Sequence, residues 1–149
     1  MKKKMEKLLI SACLIGSDVK YDGGNNRLPS DVLNKLKEKY ELVSFCPEVG
    51  GGLSIPRNPS EQRGSKVFMD DGREVTNEFL SGARKALTIC QNQGIRIALL
   101  KERSPSCGVH QIYDGNFNHN KIDGQGVTAE LLIKNGIKCF SEEEIDTIL

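Results

Sequence analysis

Three of the five cysteines, Cys13, Cys46 and Cys107, stand in segments with nearby glycine or proline that look like loops. Three thiols from distant loops can hold a metal centre, act as a redox relay, or simply fill space. The absence of a CxxC pair disfavours thioredoxin-type chemistry and zinc ribbons. A zinc site completed by His110 or His119 stays open. Three thiolates without a fourth also suit a cubane iron–sulfur cluster with one iron open to substrate.

Groups that could move protons flank two of these cysteines. Glu48 lies two residues after Cys46, where burial would raise the pKa of its carboxyl toward a value suited to acid–base catalysis. Ser104 lies three residues before Cys107 and could place a hydroxyl over an open metal position. The alternatives are an exposed loop carboxylate and a turn-capping serine. Ser106 has the same ambiguity as Ser104 and less reach.

A candidate substrate-binding segment follows the second cysteine. Gly51 and Gly52 allow close backbone approach to a ligand, because neither carries a side chain. Arg57 and Glu61 bring a donor fork and an acceptor to the same region, and a surface salt bridge is the alternative for this pair. The predicted substrate contacts are Gly51, Gly52, Arg57, Glu61 and Ser106.

The other two cysteines have patterns typical of a protein core. Cys90 falls on the apolar stripe of a predicted helix and Cys139 lies inside a predicted strand, where cysteine serves as a small hydrophobic residue. Five cysteines, an odd number, without an export signal indicate reduced thiols rather than a disulfide framework. We therefore expect a cytoplasmic protein.

Composition and charge limit the class of protein. The chain has 149 residues, 38% hydrophobic and 28% charged, so we predict one domain over residues 1–149 with a core from about 8 to 148. A net charge of +1 gives no overall excess of positive charge with which to bind a nucleic-acid polymer. We therefore expect a small-molecule partner. No apolar run approaches the ~20 residues of a membrane span, so the protein is expected to be soluble.

The N-terminal segment superficially resembles a lipoprotein signal peptide, with Lys2–Lys4 ahead of an apolar run that ends at Cys13. Glu6 and Lys7 interrupt that run and leave it well short of the ~7–15 apolar residues such a peptide needs. We therefore expect the lysine cluster to be a solvated end and the apolar run to be a buried strand.

The elements that must position these residues alternate along the chain. Short apolar runs predict strands, and helical periodicity with capping residues predicts helices. The predicted strands cover residues 8–12, 41–45, 66–69, 73–75, 95–100 and 137–140, and the predicted helices cover 31–40, 76–93, 128–135 and 142–148. Predicted N-caps are Ser30, Thr76 and Thr128, predicted helix stops are Gly94 and Gly136, and Ser141 with Glu144 is a predicted capping box. Residues 47–64 and 109–126 are predicted to be irregular, the second with one short strand.

This alternation predicts an α/β fold: a single three-layer, Rossmann-like domain with a mostly parallel sheet. Open sheets of this kind bind ligands beyond the carboxyl ends of their strands. Cys13, Cys46 and Cys107 each follow the end of a predicted strand, so we expect them to converge on one crevice. The signatures of dinucleotide-binding folds, P-loops and common hydrolases are absent from the sequence.

Several motifs occur in order over roughly residues 8 to 140. They are Ser11-Ala12-Cys13-Leu14-Ile15-Gly16, Tyr21-Asp22-Gly23, Cys46-Pro47-Glu48-Val49-Gly50-Gly51-Gly52-Leu53 with Pro56-Arg57-Asn58-Pro59, and Glu102-Arg103-Ser104-Pro105-Ser106-Cys107-Gly108. Together they resemble the thiouracil desulfidase family, formerly a domain of unknown function. The combination is much more specific than any single motif.

The resemblance implies a [4Fe–4S] cluster bound by Cys13, Cys46 and Cys107, with Glu48 and Ser104 as catalytic residues. It implies non-redox, hydrolytic removal of sulfur from a thiolated pyrimidine such as 2-thiouracil, giving uracil and hydrogen sulfide. In our hypothesis the open iron polarises the C=S bond, Glu48 manages protons for water attack, and Ser104 assists proton transfer or holds the ring. Relatives that act on thiolated nucleosides or nucleotides leave the size of the substrate open.

Two rival functions use the same residues. In one, Cys107 attacks the thiocarbonyl carbon or carries a persulfide, which predicts activity in iron-free protein. In the other, the protein is a non-enzymatic metal- or redox-sensing module, which predicts metal-dependent partner binding and no turnover of thiolated bases.

Overall fold

The structure is a computed structural model that describes residues 5–149, and the Lys2–Lys4 cluster lies outside them. Its elements in chain order are β1 (Glu6–Ser11), a 3₁₀ helix (Ala12–Ile15), α1 (Ser30–Lys39), β2 (Tyr40–Phe45), α2 (Pro47–Gly50), β3 (Ser60–Arg63), β4 (Lys66–Met69), α3 (Thr76–Gln93), β5 (Ile97–Leu100), β6 (Gln111–Tyr113), β7 (Lys121–Asp123), α4 (Val127–Lys134), β8 (Lys138–Ser141) and a terminal 3₁₀ helix (Glu142–Thr147). None of the described helices is long and apolar enough to cross a membrane.

The central sheet has four parallel strands in the order β2-β1-β5-β8. Leu9 of β1 pairs with Val43 on one side and with Ala98 on the other. Leu99 of β5 pairs with Phe140 of β8. The sheet is therefore parallel throughout, which confirms the predicted mostly parallel arrangement.

Helices cover both faces of this sheet. Successive side chains of a strand point to opposite faces, so Leu8 and Ile10 pack with α1 and the terminal 3₁₀ helix, whereas Leu9 packs with α3 and α4. All three residues are almost completely buried, as expected for a strand covered on both faces. This arrangement is the predicted three-layer α/β domain.

The chain reverses direction across the sheet between β1 and β5. After β1 it passes through α1 to β2, and after β5 it passes through α4 to β8 on the opposite side. The loops that leave these two neighbouring strands therefore diverge and open a crevice at the carboxyl edge of the sheet. Open α/β sheets bind their ligands at such a switch point.

Two segments predicted to be irregular contain short elements. Residues 47–64 include α2 and β3, and β3 pairs antiparallel with β4. Residues 109–126 include two strands, β6 and β7, rather than one. The predicted strand over 73–75 is reduced to an isolated bridge between Phe68 and Glu74. The sequence Ser60–Arg63 lacks an apolar alternation, so its pairing with β4 has no local signal.

The predicted N-caps are corrected by the structure. Ser30 and Thr76 are the first residues of their helices and Thr128 is the second, so Pro29, Val75 and Gly126 take the N-cap positions. The three hydroxyls bond elsewhere: Ser30 accepts from Arg27, Thr76 accepts from the Val67 amide, and Thr128 pairs with Ser106. The predicted stop at Gly94 and the capping box of Ser141 with Glu144 are confirmed.

Candidate active site

A cleft of about 550 Å³ lies at the carboxyl ends of β1, β2 and β5, where the switch point opens the sheet. Ser60, Glu61 and Asp70 of the β3–β4 hairpin and Tyr113, Phe117 and His119 of the β6–β7 hairpin form its outer wall. The thiol, acidic, hydroxyl and basic side chains on which the sequence analysis centred meet here: Cys13, Cys46, Glu48, Arg57, Glu61, Ser104 and Cys107. The crevice predicted from three strand ends is thus present.

Two of the three thiols are half-buried at the ends of neighbouring strands. Cys13 lies in the 3₁₀ helix after β1, and burial raises the pKa of its thiol, with a hydrogen bond from Asn26 acting in the opposite direction. Cys46 is the extended residue before α2. Burial also raises the pKa of the Cys46 thiol, and the backbone N–H groups of Val49 and Glu48 partly offset that effect.

Cys107 is the buried member of the three. Burial raises the pKa of its thiol far above the ordinary value, although the Ser11 side chain acts to lower it. Negative charge on Cys13 or Cys46 raises it further. The three thiols therefore lie close enough to influence one another's ionisation.

This donor set suits a metal centre, because three thiolates in a largely buried site need a compensating positive charge and a bound metal lowers the pKa of its thiol ligands. Among residues 5–149, no three His, Cys, Asp or Glu side chains form a group that could hold a single metal ion. His110 turns away to Glu144, with 2.7 Å between its Nε2 and Oε1. The three thiols thus offer the soft sulfur donors of a thiolate-bound centre, and His110 is not directed toward them.

Glu48 stands in the first turn of α2, directly after Pro47, and is largely buried in the cleft wall. Burial raises the pKa of its carboxyl above the ordinary value. Arg57, with Nε and Nη2 each 3.3 Å from Oε1, and a hydrogen bond from Ser104 both act to lower it. A carboxyl with a raised pKa, fixed by two neighbours, is equipped to accept and return a proton.

Ser104 caps the turn that presents Cys107, which is one of the two roles that the sequence left as alternatives. Its hydroxyl oxygen accepts hydrogen bonds from the amides of Ser106 and Cys107, at 3.1 and 3.0 Å. Its side chain also acts to lower the pKa of Glu48. The serine therefore lies between the turn that carries Cys107 and the buried carboxyl.

Arg57 is buried, with only 4% of its side chain exposed, rather than part of a surface salt bridge. Besides Glu48, its guanidinium donates to the carbonyls of Ser54 at 3.1 Å and Val19 at 2.9 Å. Its own amide donates to the Tyr21 carbonyl at 2.7 Å. Arg57 thus ties the loop after β1 to the segment that carries Glu48.

The structure keeps three of the predicted substrate contacts out of this cleft. Gly51 packs against α3, where a Cβ would collide with the Glu78 carbonyl. Gly52 is not among the lining residues and adopts a left-handed φ of 106°. Ser106 is buried, and its hydroxyl pairs with Thr128 at 2.8 Å. Local sequence gave no sign of these packing roles.

Glu61 does line the cleft, but it also has a role in holding the wall. Its Oε1 accepts from the amides of Gly115 at 3.0 Å and Phe117 at 3.2 Å, in the loop between β6 and β7. Tyr113, Phe117 and His119 of that hairpin face the same cleft. The sequence analysis assigned no function to Tyr113 or Phe117, because their hairpin was not predicted, and it considered His119 only as a zinc ligand.

Glu102 is the other residue whose role the sequence did not reveal. It is 3% exposed, and its Oε1 accepts from four backbone amides, those of Arg103, Val109, His110 and Gln111, at 2.8–3.3 Å. This carboxylate closes the loop that carries Ser104 and Cys107. The signal available in the sequence was an acidic residue two positions after a buried strand, which does not show that the side chain turns inward.

Comparison with known proteins agrees with this architecture. The model of the 2-thiouracil desulfurase family matches residues 8–144. The chain is 38% identical over 152 residues to the uncharacterized protein YbbK of Bacillus subtilis (strain 168), covering 95% of this chain and 99% of the other. Its fold matches the [4Fe-4S]-dependent thiouracil desulfidase TudS with a TM-score of 0.92 and 46% identity, covering 96% of this chain and 95% of that one.

The fold and the cleft together define a Rossmann-like α/β protein with a thiol-lined ligand site at its switch point. Within that class, the chain belongs to the 2-thiouracil desulfurase family. The family resemblance predicted from the four groups of motifs is thereby confirmed.

Proposed function

We propose that this protein is a [4Fe–4S]-dependent enzyme that removes sulfur from a small thiolated pyrimidine such as 2-thiouracil. The overall change is hydrolytic: the thiocarbonyl compound and water become the carbonyl compound and hydrogen sulfide, without net oxidation or reduction. The observation that carries the proposal is the meeting of three free thiols and a buried carboxyl in one cleft of a desulfurase-family fold.

Cys13, Cys46 and Cys107 would hold the cluster. When bound, the cluster would supply an open, thiophilic iron that polarises the C=S bond, a role for which hard, oxygen-preferring cations are poorly suited. Cys90 and Cys139 lie in the hydrophobic core and do not line the cleft, and burial raises the pKa of Cys90 to about 11 and that of Cys139 to about 12. They support the fold rather than the site.

Glu48 would manage the proton of the attacking water. Its carboxyl takes that proton as the oxygen bonds to the thiocarbonyl carbon and returns it to the departing sulfur. Ser104, already bonded to Glu48, relays the proton or holds the ring. Arg57 fixes the carboxyl group in place, so the geometry does not have to form during the reaction.

The cleft supports a small-molecule substrate rather than a nucleic-acid polymer. Its volume of about 550 Å³ is within the range of ordinary ligand pockets. Five free cysteines, an odd number, support a reducing compartment, and we place the protein in the cytoplasm.

The test is iron and acid-labile sulfide per chain after anaerobic reconstitution, followed by release of sulfide from 2-thiouracil. We expect about four of each per chain and turnover to uracil. Cys107→Ser should lose iron, while Cys90→Ser, an equally buried control that does not line the cleft, should keep it. Failure of the wild type to assemble a cluster would overturn the proposal. A full cluster without release of sulfide would refute 2-thiouracil as substrate.

The cysteine-nucleophile alternative is disfavoured by the surroundings of Cys107. Reactive cysteines are accessible and have a lowered pKa, whereas Cys107 is buried and its pKa is raised. Iron-free protein should therefore release no sulfide. Full activity without iron would instead support attack by a thiol.

A further inference from the structure

Aromatic side chains are concentrated around the cleft. The chain has five phenylalanines, three tyrosines and no tryptophan, yet Tyr21, Phe45, Tyr113 and Phe117 all line this one cavity. Ligand pockets are mostly apolar with a few polar groups, and aromatic faces suit planar rings. The aromatic lining of the cleft therefore suits a ligand with a planar ring.

Phe117 differs from the other three in how its backbone is held. It lies in the β6–β7 loop with a left-handed φ of 55°, a conformation that is an outlier for a bulky residue. Such a conformation persists only where the surroundings impose it, and it is concentrated at functional sites. Phe45, by contrast, packs against the core, and Tyr113 contacts His119 edge to face with ring centroids 6.5 Å apart.

The β3 strand imposes this conformation from outside the loop. Glu61 accepts the amides of Gly115 and Phe117, and Arg63 donates from Nε to the Gly115 carbonyl at 2.7 Å. Gly115 has a φ of 91°, and a Cβ there would collide with the Arg63 side chain. The two hairpins are thus locked together at the point that directs Phe117 to the cleft, where its side chain remains partly exposed.

We propose that Phe117 is a specificity-determining residue that stacks on the ring of the thiolated heterocycle, and that Glu61 is the positioning residue that holds it there. This inference rests on the proposed function, because it takes the planar ring from the proposed substrate. It assigns the β6–β7 hairpin to recognition of the ring and leaves the chemistry to Glu48 and the thiols.

The first test compares Phe117→Ala, Phe117→Tyr and Ile122→Ala in cluster-loaded protein. Stacking on an aromatic residue favours ring binding by about tenfold, so Phe117→Ala should raise the KM for 2-thiouracil about tenfold with little change in kcat or iron content. Phe117→Tyr keeps the ring and should restore the KM. Ile122 is exposed on the same hairpin outside the cleft lining, so Ile122→Ala should match wild type.

The second test addresses Glu61 with readouts other than turnover. Glu61→Ala should raise the KM as Phe117→Ala does, speed hydrogen exchange at the amides of Gly115 and Phe117, and weaken calorimetric binding of uracil. Glu61→Gln keeps a carbonyl acceptor for both amides and should restore all three. These readouts separate a positioning role from a general loss of stability.

The outcomes distinguish this inference from the proposed function. If wild type releases sulfide from 2-thiouracil but Phe117→Ala leaves KM and uracil binding unchanged, the stacking role is wrong and the desulfidase function stands. If Glu61→Ala leaves amide exchange and KM unchanged, the positioning role is wrong. If cluster-loaded wild type releases no sulfide from 2-thiouracil, the proposed substrate is overturned together with this inference.

Discussion

Individual side chains in this cleft are held by neighbours that have little direct part in the chemistry. Arg57 orients Glu48, and the guanidinium of Arg57 is itself held by hydrogen bonds to the carbonyls of Val19 and Ser54. Two backbone amides fix the Ser104 hydroxyl, and the same side chain acts to lower the pKa of Glu48. A site of this kind loses activity through small displacements as well as through loss of a functional group.

Replacement of Glu48 by Gln tests the proton role with a nearly unchanged shape. We expect Glu48→Gln to keep its iron content and fold but to lose about 10²–10⁴-fold in kcat, because the amide cannot accept a proton from water. Glu41→Gln, an exposed change at the sheet edge, is the control. Iron analysis and steady-state release of sulfide are the measurements, and wild-type turnover with an intact cluster would remove Glu48 from the mechanism.

At the scale of single residues, the sequence predicted that Cys13, Cys46, Glu48, Ser104 and Cys107 lie in one crevice, because each lies at or near the end of a predicted strand. All five line the cleft. It did not predict that Gly51 is a packing residue or that Ser106 is buried. Those roles depend on helices α3 and α4, which are distant in sequence, so no local pattern records them.

Secondary-structure elements and their connections set the shape of the cleft. The loop after β5 is held from inside by Glu102, and the short helix α2 is held against α3 by contacts between glycines and carbonyl groups. Both sets of contacts hold the segments that carry the functional side chains, and they do not involve those side chains themselves. Changes there should alter stability and site assembly together.

Glu102→Gln tests the loop. Burial raises the pKa of Glu102, but the four amides that bond to it outweigh burial, and the net pKa is below the ordinary value. The folded state therefore gains stability above the unfolded-state pKa of about 4.5 and loses it as pH falls through the lower folded-state value. We expect a loss of about 1–3 kcal/mol at pH 7 and a weaker dependence of stability on acid pH.

Urea unfolding from pH 7 down to pH 3 measures this effect. Glu130→Gln, on the exposed side of α4, is the matched control and should keep the wild-type profile. A Glu102→Gln profile parallel to wild type throughout the acid range would show that the carboxylate does not supply the predicted stabilisation.

Gly82→Ala tests the contact between α2 and α3. Alanine normally stabilises a helix interior relative to glycine, by about 0.5–1 kcal/mol. Here a Cβ on Gly82 would collide with the Pro47 carbonyl, so we expect a loss of about 1–3 kcal/mol and reduced iron loading, since α2 carries Glu48 and follows Cys46. Thermal unfolding and iron analysis are the measurements. Ser81→Ala should leave both unchanged, and a stabilised Gly82→Ala would contradict the prediction.

The sequence predicted the long elements and missed the short polar ones. Strand β1 and helix α3 have strong apolar patterns that reflect burial, so they are predictable locally. Strand β3, with the sequence Ser-Glu-Gln-Arg, is formed by pairing with β4, and helix α2 has only four residues. The N-cap errors have a similar origin, because Thr76 and Thr128 bond to distant segments instead of their own helix ends.

The whole molecule brings three separated parts of the chain together at one edge of the sheet. The fold class was predictable because alternating strands and helices favour a parallel sheet, and the site location followed from the switch-point rule. The outer wall of two hairpins was not predictable, because its contacts join β3 to the β6–β7 loop across more than fifty residues.

Loss of iron should lower the stability of the whole domain. A ligand that binds only the folded state stabilises it by mass action, and one held by three distant loops also restrains their separation. We expect cluster-loaded protein to unfold at a clearly higher temperature than protein stripped anaerobically with a chelator. Differential scanning calorimetry measures this, with Cys107→Ser as the variant in which chelator should have no effect. Equal midpoints for loaded and stripped wild type would contradict this coupling.

The position of β1 next to β5 also determines when the site can come into existence during synthesis. Leu9 pairs with Ala98, so about one hundred residues must leave the ribosome before the two inner strands can meet. Cys107 follows later still. A nascent chain that has exposed Cys13 and Cys46 therefore has two thiols without the third, and the proposed cluster site is complete only after Cys107 has followed.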